Sequence, residues 1–98
     1  MKMHQYYIYI MTNKNNSTLY TGVTDDLQRR IIEHKSGKGG SFTKRYNINK
    51  LVYFETGDKI HEAIEREKQI MAGSRQNKLD FINLVNPEWN DLFEEMYD

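Results

Sequence analysis

Two cationic side chains lie on the apolar stripe of the first helical segment. Leu27 and Ile31 define the stripe, and the helical repeat places Arg30 and His34 along the same face. Each has an ordinary explanation on its own: Arg30 packs its aliphatic stem at the stripe's edge, and His34 interacts with the helix dipole. Together, a guanidinium and an imidazole that face inward could stabilise negative charge and transfer a proton.

A carboxylate interrupts the apolar face of a later helical segment. The residues that mark this face at helical spacing are Ile60, Ala63, Ile64, Ile70 and Met71. Glu67 lies one heptad after Ile60, in the middle of the predicted stripe. Because burying an unpaired carboxylate costs several kcal/mol, Glu67 is predicted either to form an ion pair with Arg30 or to bind a metal ion.

Tyrosines and a glycine are predicted to share one face of a β-hairpin. If opposed residues of the two strands have an odd index sum, this face carries Tyr7, Tyr9, Tyr20 and Gly22, and the isoleucines of the first strand face the other way. Aromatic residues in such positions are ordinary core material. A glycine inside a strand, however, costs stability unless a ligand or another group must approach closely.

These residue types are together suited to hydrolysis of a phosphodiester. A carboxylate can hold one divalent ion, and an arginine can neutralise the charge that develops on the phosphorus oxygens. A tyrosine or a histidine can manage the proton of the attacking water. The side chains must therefore meet, and Tyr9, Tyr20, Arg30, His34 and Glu67 are predicted to converge on one cleft.

The elements that position these residues follow from hydrophobic pattern and turn signals. Strands are predicted at 6–11, 18–24 and 51–55. Helices are predicted from a cap at Asp25 to a stop at Gly37, over 59–72 after a cap at Asp58, and over about 76–84. The intervening segment 36–49 is predicted to be an exposed loop with one short helical turn. This order indicates an α+β fold, a small three-stranded sheet flanked by helices.

Composition narrows the class of protein. The 98 residues fit one domain spanning 1–98, and the absence of cysteine excludes a Cys-based zinc site and a catalytic thiol. The longest apolar run, 6–11, is far too short to span a membrane, and the N-terminus lacks a signal-peptide pattern, so the predicted location is the cytoplasm. Net charge is zero, but seven basic residues and one acidic residue fall within 28–50. This basic block is either a solvated face or a surface that tracks phosphates.

The motif series resembles that of the GIY-YIG nuclease superfamily over nearly the whole chain. It carries Tyr7-Ile8-Tyr9, then Tyr20-Thr21-Gly22, then Arg30, His34 and Glu67. The resemblance is strongest to small single-domain bacterial proteins similar to the N-terminal catalytic domain of a DNA-repair excinuclease. Tyr7 replaces the glycine of the first motif and Thr21 replaces the isoleucine of the second. The family fold, a three-stranded antiparallel sheet with surrounding helices, agrees with the predicted elements.

The resemblance implies a role for each motif residue. Tyr9 would be the general base for water, and Tyr20 would orient the phosphate or the water. Arg30 would stabilise transition-state charge, His34 would relay a proton, and Glu67 would bind the single Mg²⁺ or Mn²⁺ ion. The late asparagine of the family is assigned to Asn86.

A nucleic-acid surface is predicted beside this cleft. The candidates for contact with the backbone are Lys38, Lys44, Arg45 and Asn86, with Lys35 and Lys50 as further cations, and Phe42 and Tyr46 as rings that could stack on a base. The alternative for segment 36–49, which we call the basic loop, is that it is a mobile connector.

The leading hypothesis is a metal-dependent endonuclease that hydrolyses DNA, with a role in DNA repair or processing and with RNA as an alternative substrate. A second hypothesis is a non-catalytic nucleic-acid-binding module that keeps the fold. A third is an interaction protein whose acidic, aromatic tail docks a partner.

Overall fold

The computed structural model describes residues 4–97. Its antiparallel sheet has the order β2-β1-β3, with β1 at Tyr6–Thr12, β2 at Leu19–Thr24 and β3 at Lys50–Gly57. The five helices are α1 (Leu27–Lys35), α2 (Ser41–Arg45), α3 (Ile60–Ala72), α4 (Arg75–Val85) and α5 (Leu92–Tyr97). The predicted α+β class is confirmed. Over this described range, every helix falls short of the length and apolarity that crossing a membrane requires.

The register of the hairpin decides which side chains share a face. Tyr9 lies opposite Gly22, and Met11 lies opposite Tyr20, so the index sum is odd as predicted. Both tyrosines and the glycine therefore lie on one face of the sheet, which we call the tyrosine face. β1 is the central strand, and a register shift between Ile10 and Met11 marks an irregularity in its pairing with β3.

Each face of the sheet has its own apolar cluster. The face opposite the tyrosines packs against α3 and α4, and its buried residues are Ile8, Ile10, Val52, Tyr53, Ala63, Ile70 and Ile82. We call it the isoleucine face. The tyrosine face packs against α1, and its buried residues are Tyr9, Met11, Leu27, Ile31, Ile48 and Leu51.

Two predicted helix caps are wrong. α1 is capped by Asp26, whose carboxylate accepts a hydrogen bond from the Arg29 amide at 3.1 Å, one residue later than the predicted Asp25. α3 begins at Ile60 after Lys59, without a side-chain cap. Asp58 lies one residue too early, since the capping residue immediately precedes the first helical residue.

The acidic tail folds back onto the domain and forms α5, a helix that the sequence pattern did not predict. The Asp91 carboxylate accepts hydrogen bonds from the backbone amides of Leu51 at 3.2 Å and Phe93 at 3.1 Å, and it pairs with Lys35. Leu92 and Phe93 pack against the cluster of the tyrosine face. Asp91, Leu92 and Phe93 therefore contact the domain, whereas the acidic residues Glu94 and Glu95 of α5 are exposed.

Candidate active site

A buried tyrosine–histidine pair lies at the centre of the tyrosine face. β1 contributes Tyr9 and the last turn of α1 contributes His34, and their side chains are 1% and 3% exposed. The Tyr9 hydroxyl lies 3.1 Å from His34 Nε2, within hydrogen-bond distance. The histidine thus reaches inward to the sheet, in contrast to the alternative in which it only meets the helix dipole.

Gly22 makes room for the Tyr9 ring. A Cβ atom at position 22 would lie 2.5 Å from both the Cζ and the hydroxyl oxygen of Tyr9, closer than real atoms approach. The ring therefore lies directly over the β2 backbone. This close approach explains the glycine inside a strand.

Tyr20 completes an aromatic group around the histidine. Its ring meets the His34 ring edge-on, with centroids 5.3 Å apart, and lies 6.4 Å from the Tyr9 ring. Tyr20 is half-buried, so one side of this group remains open to solvent. On that side Tyr20 approaches Phe42 of α2, with ring centroids 6.2 Å apart.

Arg30 joins this group from α1. Its guanidinium donates to Glu33 Oε1 at 3.0 Å and to the Gly39 carbonyl at 3.2 Å, and it also interacts with the Tyr9 hydroxyl. Burial disfavours the charged guanidinium, but the bonds to Glu33 and Tyr9 outweigh burial and raise the pKa of Arg30. The arginine is therefore a cation that Glu33 and the Gly39 carbonyl hold in place, near enough to the Tyr9 phenol to affect its pKa. Its acidic partner is Glu33, so the alternative in which Glu67 forms an ion pair with Arg30 is wrong.

Burial sets the protonation states of the pair. It lowers the pKa of His34 to about 4, and the nearby charge of Arg30 adds to this effect. Burial also raises the pKa of the Tyr9 phenol to about 12, against the opposing hydrogen bond from Arg30. At neutral pH the site consequently contains a neutral imidazole and a protonated phenol.

The inner side of the basic loop closes over the histidine. Thr43 of α2 is 2% exposed, and its hydroxyl oxygen lies 3.2 Å from His34 Nδ1. A Cβ atom at Gly39 would lie 2.2 Å from that same nitrogen. The loop is therefore packed on its inner side and is not a free connector. Neither residue is predicted from the sequence, although the Gly39-Gly40 pair before a helical turn is itself a signal of close backbone approach.

Glu67 lies at the edge of its helical stripe, not in the middle. Ala63 and Ile70 are each 2% exposed and form the buried centre of α3, whereas Ile60 and Met71 are 47% and 51% exposed. Glu67 shares the half-exposed edge with Ile60 and Met71 by helical spacing, and it is itself half-buried. The stripe is narrower than the sequence indicated, so the carboxylate does not need an ion pair to compensate burial.

The structure links four of the five predicted catalytic residues through hydrogen bonds and ring contacts, and Glu67 is not among them. α3 packs on the isoleucine face, and among residues 4–97 Glu67 has no hydrogen bond or ion pair. Met71, one turn further along the same edge of α3, lines a surface cavity together with Tyr20 and Phe42. Since this cavity lies at the outer edge of β2, the Glu67 edge of α3 is directed towards the border of the tyrosine face.

The cations of the predicted nucleic-acid surface divide into two groups. Lys38, Lys44 and Arg45 are exposed. Lys35, in contrast, pairs with Asp91 and donates to the Asn49 carbonyl at 2.9 Å, so it belongs to the contact that holds the tail. Arg45 also lies 5.4 Å from the centroid of the Tyr46 ring.

Two exposed aromatic rings accompany these cations. Phe42 and Tyr46 are 46% and 40% exposed, and their ring centroids are 4.9 Å apart. Phe42 also approaches Tyr20, so the outer side of α2 continues the aromatic group of the site towards solvent.

Asn86 is a structural residue, and its assignment to nucleic-acid contact is wrong. Its side chain is 5% exposed and donates to the Val52 carbonyl at 3.1 Å and to the Asn90 carbonyl at 2.9 Å. Its side-chain oxygen accepts a hydrogen bond from the Asn90 amide at 3.1 Å. These bonds use both protons of the Asn86 side-chain amide, so no donor is left exposed to contact a phosphate.

The geometry agrees with comparisons to known proteins. The model of the GIY-YIG catalytic domain matches residues 5–80. A UPF0213 protein of Staphylococcus saprophyticus is 44% identical over 83% of this chain and 98% of its own length. A UPF0213 protein of Syntrophus aciditrophicus is 41% identical over 88% of this chain and 98% of its own length.

A solved structure supports the same assignment. The solution NMR structure of a UPF0213 protein from Bacillus halodurans matches with a TM-score of 0.57 and 29% identity, covering 96% of this chain and 99% of that one. The strands, the register and the site residues described above lie within the range matched by the domain model. The chain therefore belongs to the GIY-YIG family.

Proposed function

We propose that the chain is an endonuclease that hydrolyses DNA phosphodiester bonds with one Mg²⁺ or Mn²⁺ ion, in DNA repair or processing. The observation that carries this proposal is the buried Tyr9–His34 hydrogen bond of 3.1 Å beside the Arg30 guanidinium. A buried phenol in contact with a neutral proton acceptor, with a cation held nearby, is a costly arrangement for a core, and a useful one for activating water.

The proton path begins at the attacking water. The Tyr9 oxygen accepts a proton from the water while the Tyr9 hydroxyl proton passes to His34 Nε2, so the phenol never has to exist as a free phenolate. The neutral state of His34 makes this transfer available at neutral pH. The water oxygen then forms a bond to phosphorus, the bond to the leaving oxygen breaks, and the leaving oxygen takes a proton from solvent. His34 gives its proton back to solvent, which restores the neutral imidazole and balances the protons.

Arg30 provides the positive charge that the transition state requires. Hydrogen bonds to Glu33 and to the Gly39 carbonyl hold its guanidinium in place before the substrate arrives. Preorganised charge of this kind stabilises the extra negative charge on the phosphorus oxygens without reorganisation during the reaction.

Glu67 is the residue that would hold the metal ion. Within residues 4–97 there is no group of three or more acidic or histidine side chains that could hold an ion, so the protein contributes few ligands. A single half-exposed carboxylate at the border of the tyrosine face suits Mg²⁺, which normally keeps several waters and takes further oxygens from the substrate phosphate. When bound, such an ion would neutralise phosphate charge and polarise the leaving group.

The outer side of α2 would hold the DNA. Lys44 and Arg45 are exposed there, next to the open side of Tyr20. Contacts from these cations to phosphates would position the strand over the tyrosine–histidine pair without reading its sequence.

A cleavage assay with matched glutamate variants tests the proposal. Wild type, Glu67→Gln and Glu65→Gln are incubated with a panel of labelled DNA and RNA structures, with Mg²⁺, with Mn²⁺ or with EDTA. Glu65 is an exposed residue of the same helix and serves as the control. We expect metal-dependent cleavage of DNA by wild type and Glu65→Gln, and binding without cleavage by Glu67→Gln.

Two results would overturn the proposal. Absence of cleavage by wild type with every nucleic acid and both metals would leave a nucleic-acid-binding module that keeps the fold. Full cleavage activity in Glu67→Gln would show that the Glu67 carboxylate takes no part in the reaction.

A further inference from the structure

We infer that Thr43 is a positioning residue that selects the tautomer of His34 and thereby keeps Nε2 free to accept the Tyr9 proton. This inference rests on the proposed function, because the tautomer matters only if the tyrosine–histidine pair transfers a proton. The observations that support it lie on both sides of the imidazole ring.

On the Nδ1 side, Thr43 has one hydroxyl proton and two neighbours. Its oxygen lies 3.2 Å from His34 Nδ1, and its hydroxyl donates to the Gly40 carbonyl at 3.3 Å. A carbonyl oxygen can only accept, so the threonine proton is directed to Gly40. The threonine oxygen is then left to accept a hydrogen bond from Nδ1–H.

On the Nε2 side, the Tyr9 hydroxyl is constrained in a similar way. Tyr9 is 1% exposed, and among residues 4–97 the acceptor available to its proton is His34 Nε2 at 3.1 Å. Both neighbours of the imidazole therefore favour the same tautomer, with the proton on Nδ1 and the lone pair on Nε2.

Thr43 and the Nδ1 side of His34 are both buried in the interior of the protein. Thr43 is buried on the inner side of a helix whose other side chains, such as Phe42 and Lys44, are exposed. Gly39 packs so closely on His34 that a Cβ atom would lie 2.2 Å from Nδ1, which keeps the ring from turning away from Thr43. A hydrophobic residue of the same shape would fill this space equally well, so packing alone does not account for a hydroxyl.

The alternative tautomer would block the proposed chemistry. With the proton on Nε2, the ring would donate to Tyr9 and have no lone pair for the tyrosine proton. The ionisable groups that face the imidazole are Tyr9 of β1, Tyr20 of β2, and Arg30 and Glu33 of α1. None of these lies at Nδ1, so among residues 4–97 Thr43 is the group that favours a proton on that side of the ring.

The test compares Thr43→Val, which keeps the shape and removes the hydroxyl, with Thr43→Ser, which keeps the hydroxyl. Long-range ¹H–¹⁵N spectra of protein with labelled imidazoles report which ring nitrogen of His34 carries the proton. We expect protonated Nδ1 in wild type and Thr43→Ser, and an increased population of protonated Nε2 in Thr43→Val. We also expect Thr43→Val to lower kcat by on the order of tenfold or more with little change in KM.

The spectra separate this inference from the proposed function, since they require no cleavage. A wild type with the proton on Nε2 would overturn the inference, and so would a Thr43→Val variant that keeps the wild-type tautomer and turnover. If Thr43→Val fails to fold, Thr43→Ser and wild type still decide the matter, because loss of the Nδ1 proton in either contradicts it. A wild type that lacks nuclease activity but shows protonated Nδ1 would retain the tautomer assignment and overturn the proposed function.

Discussion

The two faces of the sheet use the same central strand for different purposes. On the isoleucine face, Ile8 and Ile10 meet apolar side chains from α3 and α4, and most of this cluster is aliphatic. On the tyrosine face, one residue away in sequence, Tyr9 meets a histidine and an arginine. Because neighbouring side chains of a strand point in opposite directions, one strand can serve both environments.

The buried polar side chains of the proposed site, whose burial costs free energy, lie on the tyrosine face. The isoleucine face buries mainly aliphatic area, which needs no hydrogen-bond partner and stabilises the fold by about 25 cal/mol per Å². The tyrosine face buries a phenol, an imidazole and a hydroxyl, each of which needs a partner. The apolar face can thus stabilise the fold on which the polar face depends, and substitutions on the two faces should have separable effects.

The largest expected effect is on turnover at the tyrosine face. Arg30→Ala should lower turnover by ~10²–10³-fold and largely spare DNA affinity, because a preorganised charge acts mainly on the transition state. Single-turnover cleavage and equilibrium binding measure the two quantities. Arg29→Ala removes an exposed cation from the same helix and is the control. An equal loss of binding and turnover would make Arg30 a docking residue instead.

On the isoleucine face the expected loss is in stability. Ile10 is fully buried, so Ile10→Ala should lower the free energy of unfolding by about 2–5 kcal/mol through lost burial and a cavity. Chemical denaturation measures this change. Turnover per folded molecule should stay close to wild type. A large loss of turnover by folded Ile10→Ala would show that the two faces are not separable.

A smaller effect should appear in the pH dependence of stability. Since burial lowers the pKa of His34 to about 4, the unfolded chain takes up a proton near pH 6.5 while the folded chain does not. Stability is therefore fully present above about pH 6.5 and is lost as the pH falls towards 4, by on the order of 2 kcal/mol. Denaturation curves of wild type and His34→Gln between pH 4 and 7 should show this loss only in wild type. Parallel curves would contradict a buried neutral histidine.

The smallest expected effect concerns the outer side of α2. Lys44→Ala and Arg45→Ala should each reduce the slope of log affinity against log salt by about one unit, and the double variant by about two, if both cations contact phosphates. Lys59→Ala, an exposed lysine at the start of α3, should leave the slope unchanged. A double variant with the wild-type slope would show that these two cations do not contact phosphates.

The sequence predicts the parts of this fold that depend on local pattern. The alternating strands and the short turn restrict the hairpin to a few registers, and one of these places Tyr9 opposite Gly22 as observed. The end of α1 before Gly37 follows from a glycine with positive φ, 80° in the structure. The cap of α1 does not follow from local pattern, because the adjacent acids Asp25 and Asp26 offer the same chemistry one residue apart.

The remaining features depend on contacts that no local pattern contains. Thr43 lies in a glycine-rich segment without periodicity, and only the folded chain shows that it meets His34. α5 is short, and it depends on tail contacts such as those of Asp91. The predicted position of Glu67 in mid-stripe is wrong because helical spacing gives the direction of a stripe but not the width that neighbouring elements bury.

Gly22 has a consequence for how this site can be inherited and altered. Its missing side chain is the space that the Tyr9 hydroxyl fills, 2.5 Å from where a Cβ would be. One added methyl group would displace the Tyr9 hydroxyl while every side chain of the proposed site remained in the sequence. Positions 9 and 22 therefore depend on each other. A comparison of relatives that considers only Tyr9, Tyr20, Arg30 and His34 would not detect the effect of Gly22→Ala. The same substitution offers a laboratory means to silence the site while leaving every ionisable group of the protein unchanged.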